Sequence, residues 1–369
     1  MKTRKYGFIV WGTICHFWID FTCACFAFQE IVGNKDWYTL LFLYNFYAFA
    51  LELPMGTLLD GICGKSNGSA KGYFWTGIAG ILLVILALAT DISLWPAVFL
   101  AGAGNAAFHV GTGSRVLREF PEKIWPSGLF VSTGALGIYL GKLFSGDPYV
   151  KIISEAVLLV LLLSAAFGVT AGKNRGEKRR KASFIDIQKR NAVVSEKAFD
   201  LVPVLCIFMT VVLRSYQGMT NSFSWNQTVQ TGLILTGATA LGKLSGGIVA
   251  DLAGVKKTVV FSLGGGGILL LCVSCIWLQT GGSLLFNMTM PVTLVLLYRI
   301  FPKWPGTSFG LLTFALFIGF LPSYFEAEIS VFPFRSSLLA FFSLFLLWIA
   351  IKRVEKAGKR AVDSKRTGG

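Results

Sequence analysis

Apolar runs of about bilayer-crossing length, roughly 20 residues each, follow one another along this chain with only short polar turns between them. They predict spans near residues 7–28, 37–60, 72–91, 94–116, 127–146, 152–172, 200–220, 229–252, 257–279, 282–300, 307–325 and 335–351. The expected fold is therefore an all-α membrane protein with twelve transmembrane helices. The first run, "GFIVWGTICHFWIDFTCACFAF", is too long for the apolar core of a cleaved signal peptide and leads straight into more apolar sequence. It is expected to stay in the mature protein.

Composition agrees. Hydrophobic residues make up 54% of the 369 positions and charged residues 14%, more apolar surface than a soluble chain folds away. An even number of spans puts both termini on one side, and the basic residues decide which. The side holding the termini carries 28 of the 34 lysines and arginines, against Lys35, Lys151 and Arg335 on the other. Both termini are expected in the cytoplasm. The net charge of +15 then reflects orientation and contact with anionic lipid rather than nucleic-acid binding. The run "KNRGEKRRKASFIDIQKR" reads as a basic cytoplasmic linker, residues 173–198, between a six-helix bundle at 1–172 and a second at 199–352, with a basic tail at 353–369.

Two stretches repeat across that linker. "GTLLDGICGK" is matched by "GGIVADLAGVKK", aligning Gly56-x-x-x-Asp60 with Gly247-x-x-x-Asp251. "FHVGTGSRVLREFPEKIWPSGLF" is echoed by "FNMTMPVTLVLLYRIFPKWPGTSFG", each with Arg-x-Phe-Pro (Arg118, Arg299) and a Trp-Pro pair. At these residues the chain resembles the major facilitator superfamily, whose loop signature is G-x-L-x-D-R-x-G-R-K. Gly56, Leu58, Asp60 and Lys65 fit, with Gly64 one position beyond the signature's second glycine, whereas Gly61 stands where the signature has arginine. His16-x-x-x-Asp20 and "AFHVGTGSR" resemble the bacterial fosmidomycin-resistance exporters within that superfamily. The resemblance implies a monomeric secondary transporter with two bundles rocking about a midplane site lined by the first, fourth, seventh and tenth segments, the superfamily being a standard example of such repeats; the fairly short chain and small loops suggest a bacterial inner membrane. It also implies gating contacts at Gly56, Asp60, Lys65, Gly247 and Asp251, with Arg118 and Arg299 beside them.

Ionisable groups inside the spans are expensive and mark candidate sites. They are His16, Asp20, Glu52, His109, Lys142, Arg214 and Lys243. Lys142 sits near a span end, where it can snorkel. His16 and Asp20 stand one turn apart on one helix face, and His109 and Glu52 are expected nearer the cytoplasm, with Arg115 reaching the headgroups. Arg214 and Lys243 lie halfway along the seventh and eighth segments, with Gln217, Asn287 and Asn45 as neutral hydrogen-bonding groups. Titratable acids and imidazoles thus occupy the first half and fixed cations the second.

That asymmetry suggests proton coupling through Asp20, His16, His109 and Glu52. Arg214, Lys243, Asn287, Asn45 and Gln217 are the candidate binders of a small organic anion or zwitterion, an always-charged arginine suiting a carboxylate or phosphate. One alternative is a cation or metal transporter using Asp20 and Glu52; another is a lipid-handling protein on the same fold. Cys272-x-x-Cys275 lacks a second ligand pair and reads as packing inside a helix, so no metal site is expected. No G-x-x-x-x-G-K-[ST], H-E-x-x-H or G-x-S-x-G is present, so neither a nucleotide cofactor nor an enzyme is expected. The expected partners are a small-molecule substrate, protons and membrane lipids, with no nucleic acid.

Overall fold

A computed structural model describes residues 2–65, 70–89, 92–170, 200–220, 223–325 and 334–367. The basic linker at 173–198 lies outside the described residues. Helices account for the regular structure, with no strand among the described residues. We number them in chain order. α1 is Lys2–Phe26, continued by a π-turn at Ala27–Ile31. α2 is Trp37–Asn45, a π-turn at Phe46–Ala50 and Glu52–Lys65. Then come α3 (Lys71–Ala89), α4 (Leu94–Glu119), α5 (Trp125–Phe144), α6 (Pro148–Thr170), α7 (Leu201–Thr220) and α8 (Val229–Ala253). α9 comprises Val255–Val259, a π-turn at Val260–Gly265 and Gly266–Leu270; α10 comprises Ile276–Asn287 and Thr289–Ile300. α11 is Pro305–Tyr324 and α12 is Arg335–Thr367.

Among the described residues ten helices are long and apolar enough to cross a membrane. α4 and α9 are not among them. α4 carries Asn105, His109, Arg115, Arg118 and Glu119 within an otherwise buried helix, and α9 ends early at Leu270. That early end differs from the span expected at 257–279. The apolar stretch "ILLLCVSCIWL" has no proline or charge to mark a break, yet a turn interrupts it at residues 271–275. Cys272 and Cys275 therefore sit half-buried in a turn rather than inside a helix. α12 also runs beyond the expected 335–351, carrying the start of the basic tail as helix.

The chain forms two compact units. Unit 1 comprises Met1–Phe120, Leu129–Arg180 and Pro305–Phe317; unit 2 comprises Pro121–Gly128, Lys181–Trp304 and Ile318–Gly369. Small residues let helices of unit 1 approach backbone to backbone. A Cβ on Gly80 would sit 2.3 Å from the Phe108 nitrogen, and one on Gly111 2.4 Å from the Gly77 nitrogen, so α3 and α4 meet along a glycine seam. Phe108, Phe130, Ile19 and Ile81 fill the core beside it. In unit 2, Ile207, Val292, Leu263, Ala340 and Leu347 are buried, while Leu252, Ile268 and Phe345 are exposed, as lipid-facing side chains would be.

The repeated Gly-x-x-x-Asp motif has the same local use in each unit. In unit 1 the Asp60 carboxylate accepts the backbone N–H groups of Gly306 (2.9 Å) and Thr307 (2.7 Å) at the start of α11, together with the Thr307 and Tyr73 hydroxyls. In unit 2 the Asp251 carboxylate accepts those of Ile124 and Trp125 (3.0 Å each) at the start of α5. First-turn N–H groups have no partner within their own helix, and an anion there also opposes the positive end of the helix dipole. The glycine four residues earlier makes room: a Cβ on Gly56 would lie 2.2 Å from the Gly306 carbonyl oxygen, and one on Gly247 2.8 Å from Trp125 Cα. Gly254, at φ +89°, then lets the chain turn sharply from α8 into α9, a conformation that only glycine adopts freely.

Two outcomes follow for the detergent-solubilised protein. Gly80→Ala forces the α3–α4 seam apart and lowers stability by about 1–3 kcal/mol, read as a drop in thermal unfolding temperature. Asp251→Ala leaves two helix N–H groups unpaired and costs about 0.5–2 kcal/mol; Asp251→Asn, which still offers an acceptor oxygen, costs less in the same measurement.

Candidate functional site

Two sets of buried ionisable groups bear on function, a cluster in unit 1 and Arg214 in unit 2. The cluster is built by two helices that each place polar residues four apart. α1 supplies His16 and Asp20, and α4 supplies Asn105 and His109, so each pair shares a helix face. His16 Nε2 lies 3.1 Å from Asp20 Oδ2, and His109 Nε2 lies 3.5 Å from Asp20 Oδ1. The imidazoles meet edge to face with centroids 4.5 Å apart. Asn105 Nδ2 approaches Asp20 Oδ1 at 3.4 Å. His16, Asp20 and Asn105 are buried, and His109 nearly so.

Two backbone carbonyls orient the rings. His16 Nδ1 lies 2.6 Å from the Phe130 oxygen and His109 Nδ1 lies 2.9 Å from the Asn105 oxygen. A carbonyl oxygen only accepts, so each Nδ1 carries a hydrogen and donates it. In the neutral rings the lone pairs are then on the Nε2 atoms, the nitrogens turned toward Asp20. Gly134 of α5 closes the cluster, because a Cβ there would stand 2.3 Å from Asp20 Oδ2 and 2.5 Å from His16 Nε2. The three side chains are also a set with the donor types and spacing of metal ligands, their ligand atoms all within 4.8 Å of one another.

His16, Asp20 and His109, expected together as proton-coupling groups, do lie together, whereas Asn105 was not among the expected residues. The signal for Asn105 was present: a polar residue one turn before His109 on the same face of an otherwise apolar helix. Glu52 is 1% exposed on α2, beside the Thr313 hydroxyl of α11, and its Oε2 has no hydrogen-bond partner. Asn45 turns its amide back to the Leu41 carbonyl at 2.8 Å. Arg115, expected at the headgroups, donates from Nε to Glu119 Oε1 (3.0 Å), with its guanidinium stacked 3.9 Å from the Phe8 ring centroid and 4.8 Å from that of Phe74. Aromatic faces and an acid on its own helix hold this cation more closely than water does. Lys142 is exposed over the Phe28 ring.

In unit 2, Arg214 of α7 is 6% exposed. Its Nη2 donates to the Thr289 hydroxyl at 2.7 Å and its Nη1 approaches that of Thr293 at 3.4 Å, both on α10. Those hydroxyls donate in turn to the Phe286 and Met290 carbonyls, so their lone pairs are what Arg214 meets. Its Nε has no partner, and among the described residues of unit 2 it forms no ion pair. One turn along the same face, Gln217 donates to the Ser336 hydroxyl at 2.6 Å while its Oε1 stays unbonded. Thr289, Thr293 and Ser336 were invisible to sequence reading, since hydroxyls are common in apolar helices. Asn287 bonds the Ser283 carbonyl of its own helix (2.9 Å), and Lys243 is half-buried on α8.

The gating candidates are also placed. Arg118 lies over the Tyr73 ring, whose hydroxyl donates to Asp60, and Arg299 reaches the Glu122 carbonyl at 3.5 Å beside the Asp251 cap. The Lys65 side chain lies outside the described residues.

No protein-family model matches the chain, and no curated protein sequence matches it. Solved structures do. A major facilitator superfamily transporter, FucP, in its outward conformation superposes with a TM-score of 0.59 at 14% identity, over 93% of this chain and 98% of that one. A variant of the E. coli fucose:proton symporter FucP does so at 0.59 and 12% identity, over 94% and 98%. Identity this low speaks for architecture alone, and with the all-helical units and their repeated Gly-x-x-x-Asp caps it establishes that this chain has the major facilitator fold.

Proposed function

We propose that the protein is a proton-coupled secondary transporter of a small organic anion or zwitterion, working by alternating access, with export the direction favoured by the exporter-like "AFHVGTGSR". The observation that carries this reading is Arg214. A guanidinium removed from water and met, among the described residues, by neutral hydroxyls alone is a charge without its counter-ion, an arrangement that burial strongly penalises. A bound carboxylate or phosphonate supplies that counter-ion and takes the open Nε–H. The unbonded Oε1 of Gln217, one turn away, accepts from an ammonium or hydroxyl on the same ligand. Lys243 adds positive field and Asn287 an amide oxygen in the same unit, and Asn45 is the amide candidate of unit 1.

Coupling falls to Glu52. Its carboxyl is buried with one oxygen unbonded, and a proton removes the charge that this environment penalises. The π-turn just before it gives α2 a natural point of local rearrangement. A fucose:proton symporter shares the fold, which makes proton coupling a known use of this architecture. Release of the Asp60 and Asp251 caps would accompany the change of state, with the protein acting as a monomer in a bacterial inner membrane.

The test uses sealed proteoliposomes with a trapped pH dye, challenged with pooled organic anions, zwitterions and cations. An anion or zwitterion pool is expected to move protons. Arg214→Gln abolishes substrate binding and flux together, whereas Glu52→Gln abolishes proton movement and keeps substrate exchange. Proton flux driven by the cation pool instead, unaffected by Arg214→Gln, overturns the anion reading. Retained phospholipid that no soluble anion displaces would favour lipid handling.

A further inference from the structure

The cluster of α1 and α4 in unit 1 has a property that anion transport does not require. Three electron-pair donors, Nε2 of His16, Nε2 of His109 and the Asp20 carboxylate, point at one small region. The carbonyls of Phe130 and Asn105 hold both Nδ1 hydrogens, so neither neutral ring can turn an N–H toward the carboxylate without breaking a buried hydrogen bond. A single proton bridges one imidazole to the carboxylate and leaves the other imidazole's lone pair facing negative charge. A divalent ion satisfies all three donors at once.

We propose that His16, Asp20 and His109 form a binding site for a divalent transition-metal ion of the zinc class. Ligand atoms about 2.0–2.2 Å from a tetrahedral ion lie roughly 3.3–3.5 Å from one another. The imidazole–carboxylate distances, 3.1 Å from His16 to Oδ2 and 3.5 Å from His109 to Oδ1, are near that edge length, and one ligand atom from each residue lies within 4.8 Å of the others. Two nitrogens and one oxygen suit zinc, cobalt or nickel better than magnesium or calcium, which favour all-oxygen shells. Metal-binding histidines commonly give their second ring N–H to a backbone carbonyl, as both do here. Asn105 steadies the carboxylate from the side. Gly134 keeps a methyl group out of the space beside Asp20 Oδ2 and His16 Nε2, leaving a fourth position for water or a ligand. The spacing along the chain hid this site because its ligands come from two helices, His16-x-x-x-Asp20 on one and His109 ninety-odd positions later on the other.

The experiment is cobalt titration of the purified, metal-free, full-length protein, cobalt serving as the coloured substitute for zinc. One Co²⁺ per chain is expected, with the intensified visible bands of four-coordinate geometry and no thiolate charge-transfer band. His16→Gln and Asp20→Asn each weaken binding by at least the roughly 10–100-fold that loss of a mere orienting partner costs. Gly134→Ala, which removes no ligand, weakens it too, and the double change Cys272→Ser/Cys275→Ser leaves it unchanged. X-ray absorption on the zinc-loaded wild type counts imidazoles without any variant, and two are expected. Absence of stoichiometric binding by folded wild type, a thiolate band, binding that survives His16→Gln, or fewer than two imidazoles overturns the proposal. These readouts measure binding alone, so they stand or fall apart from the transport reading.

Discussion

A hydrocarbon environment offers no water to hydrogen-bond, so every backbone N–H and C=O has to find its partner inside the protein. Helices meet this demand along their length and fail it at their ends. The chain's most repeated polar device, Gly-x-x-x-Asp, serves those ends. Asp60 closes the N-terminus of α11 within unit 1 and Asp251 that of α5 within unit 2, each with the motif glycine pressed against the helix being capped. The same demand governs side chains. Charges tolerated inside either unit sit against hydroxyls, carbonyls, rings or one another, and Glu52 Oε2, Arg214 Nε and Gln217 Oε1 are among the buried polar atoms left unbonded.

Much of the architecture was readable from hydropathy because a bilayer rewards long uninterrupted apolar runs. Reading failed where that signal is uninformative. The stretch around Cys272 is apolar on both sides of a turn, so nothing in its composition marks the end of α9. α4 poses the opposite difficulty, since its polar residues face the interior of unit 1 and lower its hydropathy without shortening it. Single candidates such as His16, Asp20 and Arg214 were evident from the rarity of charge in such segments. Their company was not: Asn105, Thr289, Thr293 and Ser336 act through three-dimensional neighbours, and ordinary polar residues in apolar helices carry no label. The surroundings of Arg115 were hidden as well, because charge alone cannot reveal the two aromatic rings beside it.

The two units, alike in their caps, differ in their interiors. Unit 1 gathers a carboxylate and two imidazoles whose orientation is fixed by main-chain carbonyls, and so it presents converging lone pairs. Unit 2 presents a permanently charged guanidinium whose orientation is fixed by hydroxyl lone pairs. In each case backbone or hydroxyl groups position the charged side chain and leave its remaining valence open, which separates the groups that hold the site from the groups that act in it.

The π-turn at Phe46–Ala50 has a geometric meaning for α2. A π-turn takes in one residue more than an α-turn, and one residue on a 3.6-residue helix is worth about 100° of rotation. Asn45 and Glu52, seven apart, would share a face on an unbroken α-helix; the inserted residue rotates them out of phase. Azimuth, and not depth alone, therefore separates the two polar groups of this helix. Deleting one residue from the π-turn would swing the whole of Glu52–Lys65, Asp60 included, around the helix axis, so the length of that five-residue segment encodes which way the second half of α2 faces.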